Sequence, residues 1–140
     1  MLEMNEDWFE KEQLHSAAQD GDLNKVMQLV AEGYPINAFD EIDMTPLHYA
    51  VKENHDQVVS FLIEAGANVN AHNQSKAGNT PLREAASNCS YEMAKLLIDA
   101  GADPTIPGWM QITALDKAHE RKNEEGRRVY QLLKEAANKK

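Results

Sequence analysis

Five histidines (His15, His48, His55, His72 and His119) and one cysteine, Cys89, are the side chains from which a metal site or a nucleophilic centre could be built. Zinc needs about four Cys, His or carboxylate ligands at spacings that a fold can close around the ion. His55, His72 and His119 have no partner at such a spacing. His15 and His48 stand 33 residues apart, a distance that suits an internal repeat better than a ligand pair. A reactive thiol requires cationic neighbours to lower its pKa, and "ASNCSYE" around Cys89 supplies none. The chain has no glycine-rich phosphate loop, no Gly-x-Ser-x-Gly elbow and no His-Glu-x-x-His pair. The 23 carboxylates are expected on helix exteriors and turns as solvated faces. No catalytic residue, cofactor or metal is expected.

Length and composition set the outer bounds. A chain of 140 residues, 42% hydrophobic, is expected to be a single domain with a core of its own. One cysteine allows no internal disulfide and points to a reducing, cytoplasmic setting. The acidic start "MLEMNEDWFEKEQ" has no apolar run, so it is not read as a secretory signal, and no stretch approaches the ~20 apolar residues of a membrane span. Residues 111–140 carry 8 Lys/Arg against 5 Asp/Glu, a balance of +3, whereas residues 1–110 carry 6 against 18, a balance of −12. That acidic body argues against nucleic acid, whose phosphates attract cations. It favours a basic protein partner or simple solubility.

The elements that would carry any site come from a period. Leu14, Leu47, Leu82 and Leu115 follow one another at 33, 35 and 33 residues, and Gly33, Gly66 and Gly101 at 33 and 35. Each of the first three Leu–Gly distances is 19, so the helical part is constant and only the connection varies. "TPLHYA" (45–50) and "TPLREA" (80–85) open two of the copies. Thr45 and Thr80 are placed as N-caps, with Pro46 and Pro81 in the first turn, where a missing N–H costs nothing. Leu47, Ala50 and Val51 form an i, i+3, i+4 apolar face, repeated by Leu82, Ala85, Ala86 and by Leu14, Ala17, Ala18. Gly21 and Asn54 break the first helices, "VVSFLIEA" and "MAKLLIDA" form second helices, and Gly33, Gly66 and Gly101 terminate second helices.

The strings "DMTPLHYAVKENHDQVVSFLIEAGANVNA" and "GNTPLREAASNCSYEMAKLLIDAGADPT" resemble ankyrin repeats, a family with a ~33-residue period and a Thr-Pro-Leu-His-x-Ala signature. The resemblance covers about 14–137 and implies an all-α solenoid. Stacked antiparallel helix pairs would be joined by β-hairpin-like loops, in four repeats at about 9–41, 42–76, 77–109 and 110–140 with atypical ends. Copy one lacks Thr-Pro, and Trp8 and Phe9 are expected to cover its outer face. Copy four has Ala114 for Pro, Asp116 for His and three extra residues near "KNEEG". The resemblance gives His15 and His48 a structural role in the repeat's own turn. It also places Cys89 where Gly is usual, as a plain turn residue.

The resemblance further implies a non-catalytic protein-binding module that uses a concave face of first helices and the hairpin tips, here near 39–44, 73–79 and 107–111. The expected contact residues are Asp40, Glu41, Asp43 and Met44 on the first tip. On the first helices they are Tyr49, Lys52, Glu53, Glu84 and Asn88, and on the last tip Trp109, Met110 and Gln111. Trp109 and Tyr49 would anchor a partner, and the acidic tip would steer a basic one. A general adaptor or regulatory subunit is the first expectation. An immunity protein that covers a toxin, such as a basic nuclease, is the alternative. The free chain is expected to be a monomer.

Overall fold

Thr45 caps its helix by accepting from the His48 N–H, while the His48 ring accepts from the Thr45 N–H (3.0 Å). This reciprocal capping box satisfies donors that a helix start would leave open. Thr80 and Thr113 accept from the N–H groups of Arg83 and Asp116 in the same way. The computed structural model describes residues 12–73 and 78–139, and Trp8 and Phe9 lie outside them.

Among the described residues eight α-helices form four helix–turn–helix pairs. They are α1 (Gln13–Asp20) with α2 (Leu23–Ala31), α3 (Pro46–Lys52) with α4 (Asp56–Glu64), α5 (Pro81–Ala85) with α6 (Tyr91–Asp99), and α7 (Ala114–His119) with α8 (Glu124–Asn138). A short 3-10 turn, Trp109–Gln111, precedes α7. No strand occurs among the described residues. Two of the connecting loops are drawn together across their ends by backbone bonds, Asp40 N–H to Met44 C=O and Gly108 N–H to Ile112 C=O, both 2.9 Å.

First helices pack on successive first helices, α1 on α3, α3 on α5 and α5 on α7, while α2 meets α4 and α6 meets α8. The small residues of the repeat sit in these contacts: Ala18, Ala50, Ala85 and Ala86 are fully buried beside Leu47, Val51 and Leu82. Each such Leu or Val contributes roughly 1.5–3 kcal/mol. Leu115 departs from the pattern. It is only half-buried, and among the described residues no further helix pair packs on the outer side of α7.

The second helices α2, α4 and α6 end at glycine for a geometric reason. Gly66 (φ 107°) donates to the Ile63 carbonyl and Ala67 to Leu62, and Gly33 and Gly101 repeat both bonds. That pair of bonds is a Schellman cap, which requires a left-handed residue. Asparagines then tie one repeat to the next. Asn37 donates to Gly66 C=O and accepts from Asn68 N–H, and Asn70 does the same with Gly101 and Asp103.

Histidine supplies the remaining link. His48 Nδ1 accepts from Thr45, so the neutral ring carries its proton on Nε2 and donates it to the Asn79 carbonyl of the next repeat. Burial holds its pKa below the ordinary 6.5, against the opposing pull of that carbonyl. His15 reaches Ala38 C=O from Nε2 (2.8 Å). Its Nδ1 has no partner among the described residues, because Glu12 stands where a Thr would face it.

Candidate partner-binding surface

The first tip is organised from within. Asp40 Oδ1 accepts from the N–H groups of Ile42 and Met44 (both 3.0 Å), and Oδ2 accepts from the Tyr49 hydroxyl. Burial, then the Asp40 bond, pushes the Tyr49 pKa above its ordinary range, so the phenol stays a donor. Asp43 takes a left-handed conformation (φ 62°) and accepts from Asn73 (3.1 Å), which ties the first tip to the next loop. What remains outside is Phe39, Glu41 and Ile42, the first 43% and the last 70% exposed. Beside Tyr49 a cleft of about 640 Å³ opens on α1, lined among others by Glu12, Ser16 and Asp20.

Two expectations about this region are corrected. Met44 is 6% exposed, because its backbone closes the tip and its side chain turns inward, so it offers little surface to a partner. Asp40 is half-buried with three donors on its carboxylate, which makes it a scaffold for the tip rather than a free steering charge. Cys89 lies in the turn between α5 and α6, with its side chain 0% exposed within the core. Burial pushes its thiol up to about 11, although Arg121, distant in sequence, lies near enough to pull the other way. The Arg121 guanidinium donates to the Cys89 carbonyl (2.9 Å) and so locks α7 to the α5–α6 turn.

The other expected residues fall as follows. Lys52, Glu53 and Asn88 are exposed at the ends of α3 and α5. Glu84 is half-buried and accepts from Asn79 (2.8 Å). Trp109, Met110 and Gln111 stand together on the last tip, with Trp109 67% and Met110 69% exposed. Met110 (φ 58°) and Gln111 (φ 64°) are both left-handed, a conformation that costs a non-glycine residue roughly 1–2 kcal/mol. On the opposite, second-helix side a groove of about 310 Å³ between α2 and α4 holds Met27 and Phe61.

The residue that the sequence expectation passed over is Arg83. It occupies the place of His48 in the third pair and is almost fully buried. Its Nε donates to Ile112 C=O (2.6 Å), Nη1 to Asn79 Oδ1 (2.9 Å) and Nη2 to Trp109 C=O (3.4 Å). Among the described residues no carboxylate pairs with it. The available signal was the departure of "TPLREA" from the Thr-Pro-Leu-His-x-Ala signature at its fourth position.

Comparison with known proteins follows the same division. The family model "Ankyrin repeats (3 copies)" matches residues 13–107. The mouse protein "Ankyrin repeat domain-containing protein 40" is 43% identical over 68 residues, which are 48% of this chain and 18% of that protein. A putative ankyrin repeat protein of Rickettsia felis is 35% identical over 104 residues, 68% of this chain and 45% of its own length. A putative E3 ubiquitin-protein ligase of Arabidopsis thaliana is 31% identical over 110 residues, 78% of this chain and 29% of that protein. The chain thus spans less than half of each of these relatives.

Proposed function

This chain belongs to the ankyrin-repeat family, and we propose that it works as a non-catalytic protein-binding module, an adaptor or regulatory subunit. The observation that carries the reading is the surface itself. Ile42, Trp109 and Met110 are large apolar side chains exposed on two tips of the first-helix side, with Tyr49 and the polar ends of α3 and α5 between them. Exposed aromatics within a polar rim are the usual anchors of protein interfaces. The ligase name of the Arabidopsis relative belongs to a protein of which this chain spans 29%, so it carries no catalytic assignment here. The reading places the free chain as a cytoplasmic monomer. No helix among the described residues is long and apolar enough to cross a membrane.

A second reading is favoured by charge. The −12 balance of residues 1–110 suits an immunity protein that covers a basic toxin, and rescue of a host from a co-expressed toxin would separate the two. For either, surface plasmon resonance with the protein that co-purifies from source cells is the test. Tyr49→Ala and Trp109→Ala should speed dissociation, whereas Glu41→Lys should slow association and reduce its salt dependence. Unchanged rates for all three would move the interface to the second-helix side.

A further inference from the structure

We propose that the Trp109–Gln111 turn is a preformed recognition knob, locked by Arg83, whose Trp109 and Met110 enter an apolar pocket on a folded protein partner. This rests on the protein-binding reading above and adds what shapes the contact.

The turn is closed by its own backbone: Gly108 N–H donates to Ile112 C=O (2.9 Å), Gln111 N–H to Gly108 C=O (3.0 Å) and Ile112 N–H to Trp109 C=O (3.2 Å). Those bonds hold two consecutive left-handed residues, and such a backbone persists only where its surroundings over-determine it. Arg83 supplies the surroundings. Its guanidinium holds the carbonyls of Trp109 and Ile112 and is held in turn by Asn79. Gly108 makes room for it, since a Cβ there would lie 2.5 Å from Arg83 Nε.

The side chains of the turn gain nothing from this arrangement within the molecule, as Trp109, Met110 and Gln111 are all exposed. A locked backbone that presents an indole and a thioether outward is the form of an interface anchor, because rigidity removes the ordering cost of binding. The partner's matching feature is an apolar pocket able to take an indole. An acidic or polar groove would leave two large apolar side chains facing unpaired polar groups. His48, the counterpart of Arg83, grips one carbonyl of the next repeat. Arg83 grips two, and the second is that of Trp109. The exchange of His for Arg therefore adds a hold on the knob to a link between repeats.

Arg83→His tests the knob while keeping a side chain that bridges repeats elsewhere in this chain. On the free protein, amide hydrogen exchange at Gly108, Gln111 and Ile112 should accelerate at least ~10-fold, with the Ala86 amide unchanged. Equal exchange in wild type and variant overturns the lock without reference to any partner. With the protein that co-purifies with the wild-type chain, Trp109→Ala should weaken binding at least ~30-fold, as hot spots do. Arg83→His should weaken it ~10-fold, and the double variant should bind no worse than Trp109→Ala alone. Additive losses would show that Arg83 does not act through Trp109. Full affinity in Trp109→Ala and Met110→Ala, with loss in Tyr49→Ala, would overturn the knob and leave the binding reading standing.

Discussion

Gly108→Ala puts one methyl group into the space through which Arg83 passes. Gly108 sits at φ −109° and ψ −145°, outside the left-handed region. The main cost of the substitution comes from contact. The new Cβ would stand 2.5 Å from Nε, 2.7 Å from Cζ and 2.8 Å from Cδ of Arg83, nearly an ångström inside ordinary van der Waals distance. A flexible arginine at a surface would swing aside. This one is almost fully buried and holds the Ile112 carbonyl at 2.6 Å and Asn79 at 2.9 Å. A retreat of about 1 Å breaks the first bond and misaligns the others. Hydrogen bonds from a charged donor are worth about 1.5–3 kcal/mol each, so the loss of one or two predicts a cost of about 2–4 kcal/mol.

The cost should fall on the junction between the third and fourth helix pairs, because Ile112 leads into α7. Stability in a stacked array is a sum of unit and interface contributions. Weakening one interface should therefore separate the unfolding of α7–α8 from the rest, seen as a lower urea slope or an early first transition. A double-mutant cycle isolates the cause: in an Arg83→Ala background Gly108→Ala should cost at least about 1.5 kcal/mol less than in the wild type, since the Arg83 clash is gone. If Gly108→Ala alone costs less than about 1.5 kcal/mol, or the two losses add, the Arg83–Gly108 contact does not hold the junction.

Three further outcomes follow from the core. Leu82→Ala, at 0% exposure between α3 and α7, should cost about 2–5 kcal/mol in urea denaturation, and a value near 1 would mean that the site collapses around the gap. Cys89→Ser should lower stability by about 1–3 kcal/mol, because it buries a hydroxyl where a thiol packs without strong polar demand, whereas Cys89→Ala should be milder. Stability should fall on acidification. The folded pKa of His48 is held below its unfolded value of 6.5, so the unfolded chain takes up the proton first. The contribution is complete above the unfolded value and declines as pH falls through it towards the lower folded one. Thermal melts between about pH 7.5 and pH 5 should show the decline, and His48→Gln, though less stable throughout, should flatten it.

The period made the helices readable because its signals are local. A threonine caps the helix it precedes, and proline and the terminal glycine act within one turn, so Thr45, Pro46 and Gly66 announced their roles from sequence alone. The candidate surface was less readable, because its determinants join residues about 30 positions apart or depend on which way a tip folds. Ile42 and Met44 are both apolar residues of one acidic tip and both give their N–H to the Asp40 carboxylate, yet the Met44 side chain is buried and that of Ile42 is exposed. Nothing in the order of the residues distinguishes them. Cys89 looked free of cations because Arg121 reaches it only through the packing of α7. Arg83 was visible as a departure from the signature but not as a contact, since its partners Trp109 and Ile112 lie 26 and 29 positions further along the chain. This asymmetry has a physical origin. A repeat must satisfy its own backbone within a few residues, so matches to the signature report the fold. A substitution at a bridging position is answered by a neighbouring repeat, and here the answer is a rigid, exposed Trp109–Met110 turn. The positions where this chain breaks the signature are therefore the ones at which its binding specificity should be sought.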